Sequence, residues 1–144
     1  MKEQNYKNHR RLVAGYHGLT FFISVALLVL SIYSLYASLR DHYDLRYSIM
    51  FFLTAILFNL MFYYARSFAL KAQDRAIRAE ENLRHFVLTG KVLDKDLKTS
   101  QILALRFAPD EEFPDLTAKA LKDNLNNDAI KQSVKNWKAD HYRV

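Results

Sequence analysis

Two apolar stretches, Leu19 to Leu39 and Tyr47 to Ala65, lie seven residues apart and contain no Asp, Glu, Lys or Arg. A helix needs about 20 such residues to cross the hydrocarbon core of a bilayer, and both stretches reach that length with their flanking tyrosines. The first holds twelve Leu, Ile, Phe or Val residues and the second nine. On an insertion scale these contribute about −4 to −7 and about −3 to −5 kcal/mol, so both are expected to insert. Lys7, Arg10 and Arg11 precede the first stretch, as in a signal peptide. Its apolar region exceeds the roughly 7 to 15 residues of such a peptide, and a second stretch follows at once, so an uncleaved span is expected.

The pattern then changes. From Tyr47 to Thr89 there is no Gly or Pro, and Gly90 is the first natural helix stop. At 1.5 Å per residue this predicts a helix of about 64 Å, roughly 36 Å of it beyond the bilayer as a stalk. Along the stalk Ala65, Ala69, Ala72, Ala76, Ala79, Leu83 and Phe86 recur in alternating steps of four and three. That heptad-like seam allows close approach of another helix while burying little area per residue, so it is expected to dock a partner. Asp74 with Arg78, Glu80 with Arg84 and Glu81 with His85 have the four-residue spacing of ion pairs on an exposed helix surface.

After Gly90 three short helices are expected. Thr99 or Ser100 starts one at Gln101 to Phe107. Asp110 caps a second, with Glu111 and Glu112 near its N-terminus and Pro114 in its first turn. Asn127 caps a third, Asp128 to about His141, with Ile130, Val134 and Trp137 on one stripe. These are expected to cover the outer end of the stalk around Leu83, Phe86 and Val87. The fold class is therefore all-α: a transmembrane helical hairpin whose second helix extends into a cytoplasmic stalk, with a small helical C-terminal cap. Its segments are a cytoplasmic N-terminal segment 1–18, transmembrane helix 19–39, extracytoplasmic loop 40–46, transmembrane helix 47–65, stalk 66–89 and cap 90–144.

Charge sets the orientation. Lys2, Lys7, Arg10 and Arg11 precede the first span, and Arg66, Lys71, Arg75 and Arg78 follow the second, against Arg40 and Arg46 between them. The positive-inside rule then puts both termini in the cytoplasm. Tyr16, Tyr63 and Tyr64 mark one interface, and Tyr36, Tyr43 and Tyr47 the other. Arg66, Lys71, Arg75 and Arg78 are candidates for contact with anionic lipid headgroups.

Within the spans, His17, Ser24, Ser31 and Ser38 recur every seven residues, with Ser34 near the same face, and the second span offers Ser48, Ala55 and Asn59. Small polar stripes of this kind suit helices that face each other within the hairpin or across an oligomer. The sharper alternative makes Ser24, Ser31, Ser38 and Asn59 the lining of a polar path. Against it, neither span contains an ionisable acid or base of the kind that ion pathways use.

Composition narrows the chemistry. Of the 36 charged residues, 27 lie in residues 66–144, where 12 carboxylates interleave with the basic residues. The net charge of +6 is thus spread without a concentrated basic face, and no nucleic-acid partner is expected. Cysteine is absent, which removes disulfides, thiolate nucleophiles and thiolate metal ligands. The five histidines, His9, His17, His42, His85 and His141, are scattered, and the acidic group Asp110, Glu111, Glu112 and Asp115 is explained by helix-start electrostatics. No nucleophile elbow, phosphate loop or dinucleotide fingerprint occurs, so no catalytic residue, cofactor or metal is expected.

The stretch ARSFALKAQDRAIRAEENLRHFVLTGK from Ala65, with ALRFAPDEEF from Ala104, IKQSVKNWKADHYRV from Ile130 and the opening QNYKNHRR, resembles an uncharacterised family of small two-span bacterial inner-membrane proteins. The resemblance implies a multi-pass protein of the bacterial inner membrane and carries no activity. The function expected from the residues is that of a non-enzymatic interaction or accessory protein. It would act by homo-oligomerisation or by joining a larger membrane complex through the alanine seam; the alternative is a small oligomeric channel or transport component.

Overall fold

The computed structural model describes residues 4–9, 12–41 and 44–140, and every regular element among them is helical. A π-helical stretch, Ala14–Thr20, leads into α1, Phe21–Asp41. Helix α2 spans Leu45–Thr89, α3 Thr99–Leu105, α4 Phe113–Lys122 and α5 Asn127–Ser133. The chain divides into two compact units: Leu12–Phe68, and Met1–Arg11 together with Ala69–Val144. Lys2, Arg10, Arg11, His42, Tyr43 and His141, which entered the sequence reading, lie outside the described residues.

Two helical segments, Ala14–Asp41 and Leu45–Thr89, are long and apolar enough to cross a membrane. The most apolar window of each is only 11% buried. Their outward faces carry side chains such as Val29, Leu30, Leu53 and Leu57, all exposed. The contact between α1 and α2 uses small residues instead, because these let two helix backbones approach closely. Ser24, Ser31 and Ser38 of α1 are buried, as are Ser48 and Ala55 of α2. Tyr16 fastens the entry of α1, stacking on Phe62 at 4.3 Å and donating its hydroxyl to the Phe62 carbonyl at 2.7 Å.

In the second unit α2 stops where the sequence predicts. Gly90 has φ +73°, the left-handed conformation that glycine adopts without strain, and its N–H reaches the Phe86 carbonyl at 2.8 Å. The chain then folds back, and Leu93 N–H donates to Asn82 Oδ1 at 2.8 Å. Helices α3, α4 and α5 enclose one core containing Ile102, Leu105, Phe113, Leu116 and Ile130. Gln101, buried with them, ties three backbone groups together. Its Oε1 accepts from Lys98 N–H at 2.8 Å, and its Nε2 donates to the carbonyls of Leu125 at 2.9 Å and Ala120 at 3.4 Å. Helix α4 closes through Asn124, whose φ of +46° lets its N–H reach Leu121 and the N–H of Leu125 reach Ala120.

The boundaries of the short helices differ from expectation in identifiable ways. The residue before α3 is Lys98 rather than Thr99 or Ser100. Glu112, not Asp110, precedes α4, with Pro114 in the first turn as expected. Asn126 caps α5 by accepting from Ala129 N–H at 2.8 Å, and the helix ends at Ser133 instead of continuing to His141. Val134 turns extended, and the following chain is held by Lys138 N–H donating to the Phe107 carbonyl at 2.8 Å. Val134 and Trp137 still join the core, but from the non-helical chain beyond α5.

Candidate interaction surface

Helix α2 beyond residue 69 presents two unlike sides. At 100° per residue, Ile77, Glu81 and Arg84 share one side, about 140° around the helix from the mean direction of Ala69, Ala72, Ala76, Ala79, Leu83 and Phe86. Ile77 and Glu81 are buried. Arg84 lies against the cap: its guanidinium reaches Glu81 Oε2 at 3.0 Å, Asp110 at 2.6 Å and the Ala108 carbonyl at 2.7 Å, and stands 4.3 Å over the Phe113 ring. His85 packs edge-on to Phe113 at 6.0 Å and meets the Lys91 carbonyl at 2.7 Å.

The cap therefore occupies a different side from the one predicted for it. Leu83, Phe86 and Val87 are 63%, 50% and 74% exposed, and Ala65, Ala69, Ala72, Ala76 and Ala79 are exposed as well. The physical reason is a polar one. Glu81 and Arg84 form a fork that two acceptors on the α3–α4 connection complete, and the turn at Gly90 with the Asn82 bond sends the chain to that side. The expected pairs Asp74–Arg78, Glu80–Arg84 and Glu81–His85 are not formed; Arg84 is used by Glu81 and Asp110. The spacing along the helix pairs Arg84 with Glu80 and gives no sign of its actual partners Ala108 and Asp110, which lie 24 and 26 residues away.

The candidate headgroup residues do not share one face. Lys71, Arg75 and Arg78 are exposed within about 60° of one another on α2, whereas Arg66 lies about 140° from Lys71.

In the unit Leu12–Phe68 the polar stripe residues meet. Ser38 and Ser48 share a short hydroxyl contact, with Ser34 at 3.4 Å from Ser48. Ser24 and Ser31 donate to their own helix, to the carbonyls of Phe21 at 2.9 Å and Leu28 at 2.7 Å. Asn59 Nδ2 donates to the Ala55 carbonyl at 2.9 Å and across to the Ser24 carbonyl at 3.3 Å. Ser34, Ser38, Ser48 and Asn59 thus join α1 to α2, whereas the hydroxyls of Ser24 and Ser31 are satisfied within α1. Beside Asn59 an open, apolar groove of about 450 Å³ is lined by Thr20, Leu27, Phe58, Phe62 and Ala65 among others.

The acidic group after α3 disperses to protein partners: Asp110 goes to Arg84, and Glu112 accepts from the backbone N–H groups of Lys135 at 2.9 Å and Asn136 at 3.0 Å. Those bonds, that of Lys135 first, hold the Glu112 carboxyl below the ordinary glutamate range. Among the described residues no group of three or more His, Asp or Glu side chains is arranged to hold a metal ion.

A family model described as a family of unknown function (DUF6526) matches residues 1–144. No curated protein and no solved structure matches the chain.

Proposed function

The chain belongs to the DUF6526 family along its whole length, and we propose that it is a non-enzymatic membrane interaction protein. In this reading α1 and the first part of α2 cross the bilayer as a hairpin, and the remainder of α2 offers its alanine seam to another membrane-associated chain. The observation that carries the reading is the division of α2: the cap takes the side with Ile77, Glu81 and Arg84 and leaves Ala69, Ala72, Ala76, Ala79, Leu83 and Phe86 uncovered. A helix of a solitary soluble domain would put Leu83 and Phe86 inward, since burying each large apolar side chain contributes about 1.5 to 3 kcal/mol.

The membrane assignment is supported by the exposure of both apolar windows, because a soluble core helix of that hydropathy would be mostly buried. Placement of both termini on the cytoplasmic side is supported by the flanking charges and by the contact of residues 4–9 with the C-terminal unit. There Asp140 N–H donates to Gln4 Oε1 at 2.8 Å, and the His9 ring lies 5.8 Å from both Phe107 and Trp137. An even number of spans is what allows residues 4–9 to meet Phe107, Trp137 and Asp140 on one side.

The chain has no native cysteine, so single substitutions report topology directly. In sealed cells Asp41→Cys is expected to react with a membrane-impermeant maleimide and Asn136→Cys is not, with the protein remaining in the membrane fraction after alkaline washing. Labelling at position 136 from outside, or release of the protein by the wash, overturns the reading.

A further inference from the structure

Resting on that reading, we propose that the occupant of the α2 seam is a second copy of this chain, packed parallel and in register so that Arg75 of each copy faces Glu80 of the other.

The surface is more than a row of alanines. Its outer end carries Leu83, Phe86 and Val87, each at least half exposed, which places an apolar patch on a side of the helix that the cap leaves open. The spacing sets what can cover it. With Ala69, Ala76 and Leu83 as one core position of a heptad and Ala72, Ala79 and Phe86 as the other, the seam has the period of a left-handed two-stranded coil. Small core residues bring the two axes close, and the flanking positions then determine partner and direction.

Those flanking positions are complementary within one sequence. Arg75 precedes the core position of Ala76, and Glu80 follows that of Ala79, five residues further on. In a parallel in-register pair this is the spacing at which a flanking residue of one chain meets a flanking residue of the other. Both side chains are exposed, and neither takes part in an ion pair among the described residues. A two-fold axis forms the contact twice. The remaining flanking residues between 69 and 89, Gln73, Asn82 and Val87, are uncharged, so no like charges oppose one another. Direction follows from the anchor: copies inserted with the same orientation bring their helices out of the bilayer parallel, whereas an antiparallel pair would need one copy inverted.

The test uses the full chain in native membrane vesicles with Ala72→Cys, Ala79→Cys and, as a control away from the seam, Arg78→Cys. Oxidation is expected to give a disulfide-linked homodimer at 72 and 79 and little at 78. Arg75→Glu and Glu80→Arg are each expected to weaken self-association roughly two- to thirtyfold, the range for two exposed ion pairs, and the two together in one chain to restore it. Cross-links from 72 and 79 only to a different polypeptide overturn self-pairing and leave the seam as a docking surface. Homodimer at 78 as abundant as at 72 and 79 overturns self-pairing as well, and single charge variants without effect overturn the register. Absence of any cross-linked neighbour at 72 and 79 overturns the proposed function along with this inference.

Discussion

Glu112 illustrates how one side chain can hold a terminal segment. Its carboxylate accepts from the backbone N–H groups of Lys135 and Asn136 and from Asn136 Nδ2 at 2.9 Å, and those donors favour the ionised form. Because the folded-state pKa is lowered, the stabilisation is fully present above the ordinary value of 4.5 and is lost as pH falls through the lowered one. Trp137, the single tryptophan, lies beside the clamped segment and reports on it. Acidification below pH 4.5 is expected to shift Trp137 emission to the red, and Glu112→Gln to remove most of that titration. An unchanged titration in the variant would assign the transition to another group. At this scale the sequence conveyed part of the answer. The acidic residues around the start of α4 read as helix-start electrostatics, which fits Asp115 in its first turn. The grip of Glu112 on residues 23 and 24 positions away leaves no local pattern to read.

Helix α2 was legible in its length because the determinants are local: good helix formers, no breaker before Gly90, and a glycine placed for a left-handed stop. Its facing was not. Heptad steps mark a surface able to pack, and the cap was expected on that surface, yet the cap sits on the side where Arg84 joins Glu81, Asp110 and the Ala108 carbonyl. Arg84 and Glu81 are both largely buried, so removing the cation leaves a carboxylate without compensation. Arg84→Met is expected to destabilise the cap by about 3 kcal/mol, read as a lowered thermal midpoint of Trp137 emission in detergent. Adding Glu81→Gln should recover part of the loss, because the two residues are coupled. A midpoint unmoved by Arg84→Met would mean that apolar contacts alone attach the cap. The early end of α5 has a similar origin: Ile130, Val134 and Trp137 have helical spacing, but bonds from residues 135, 136 and 138 to Glu112 and Phe107 hold that stretch out of the helix.

For the whole molecule, the packing of residues 4–9 against Phe107, Trp137 and Asp140 is the feature that no segment predicts alone. Residues 4–9 belong to the same compact unit as residues 69–144, with the His9 ring beside Phe107 and Trp137, themselves 4.8 Å apart. His9→Ala is expected to weaken this contact by about 1 kcal/mol, seen as red-shifted Trp137 emission and easier quenching by acrylamide. A spectrum identical to that of the parent chain would show the segment undocked in solution. By itself the sequence determined the all-α class, the two helices able to span a membrane, the run of α2 to Thr89 and the apolar content of the cap, because hydropathy, helix propensity and glycine stops act over a few residues. Only the tertiary structure decided which side of α2 the cap covers, where α5 ends and that the N-terminal segment closes onto the C-terminal unit. These depend on hydrogen bonds and ring contacts between residues from 11 to 136 positions apart, whose partners are chosen by the packed fold and not by their neighbours in the chain.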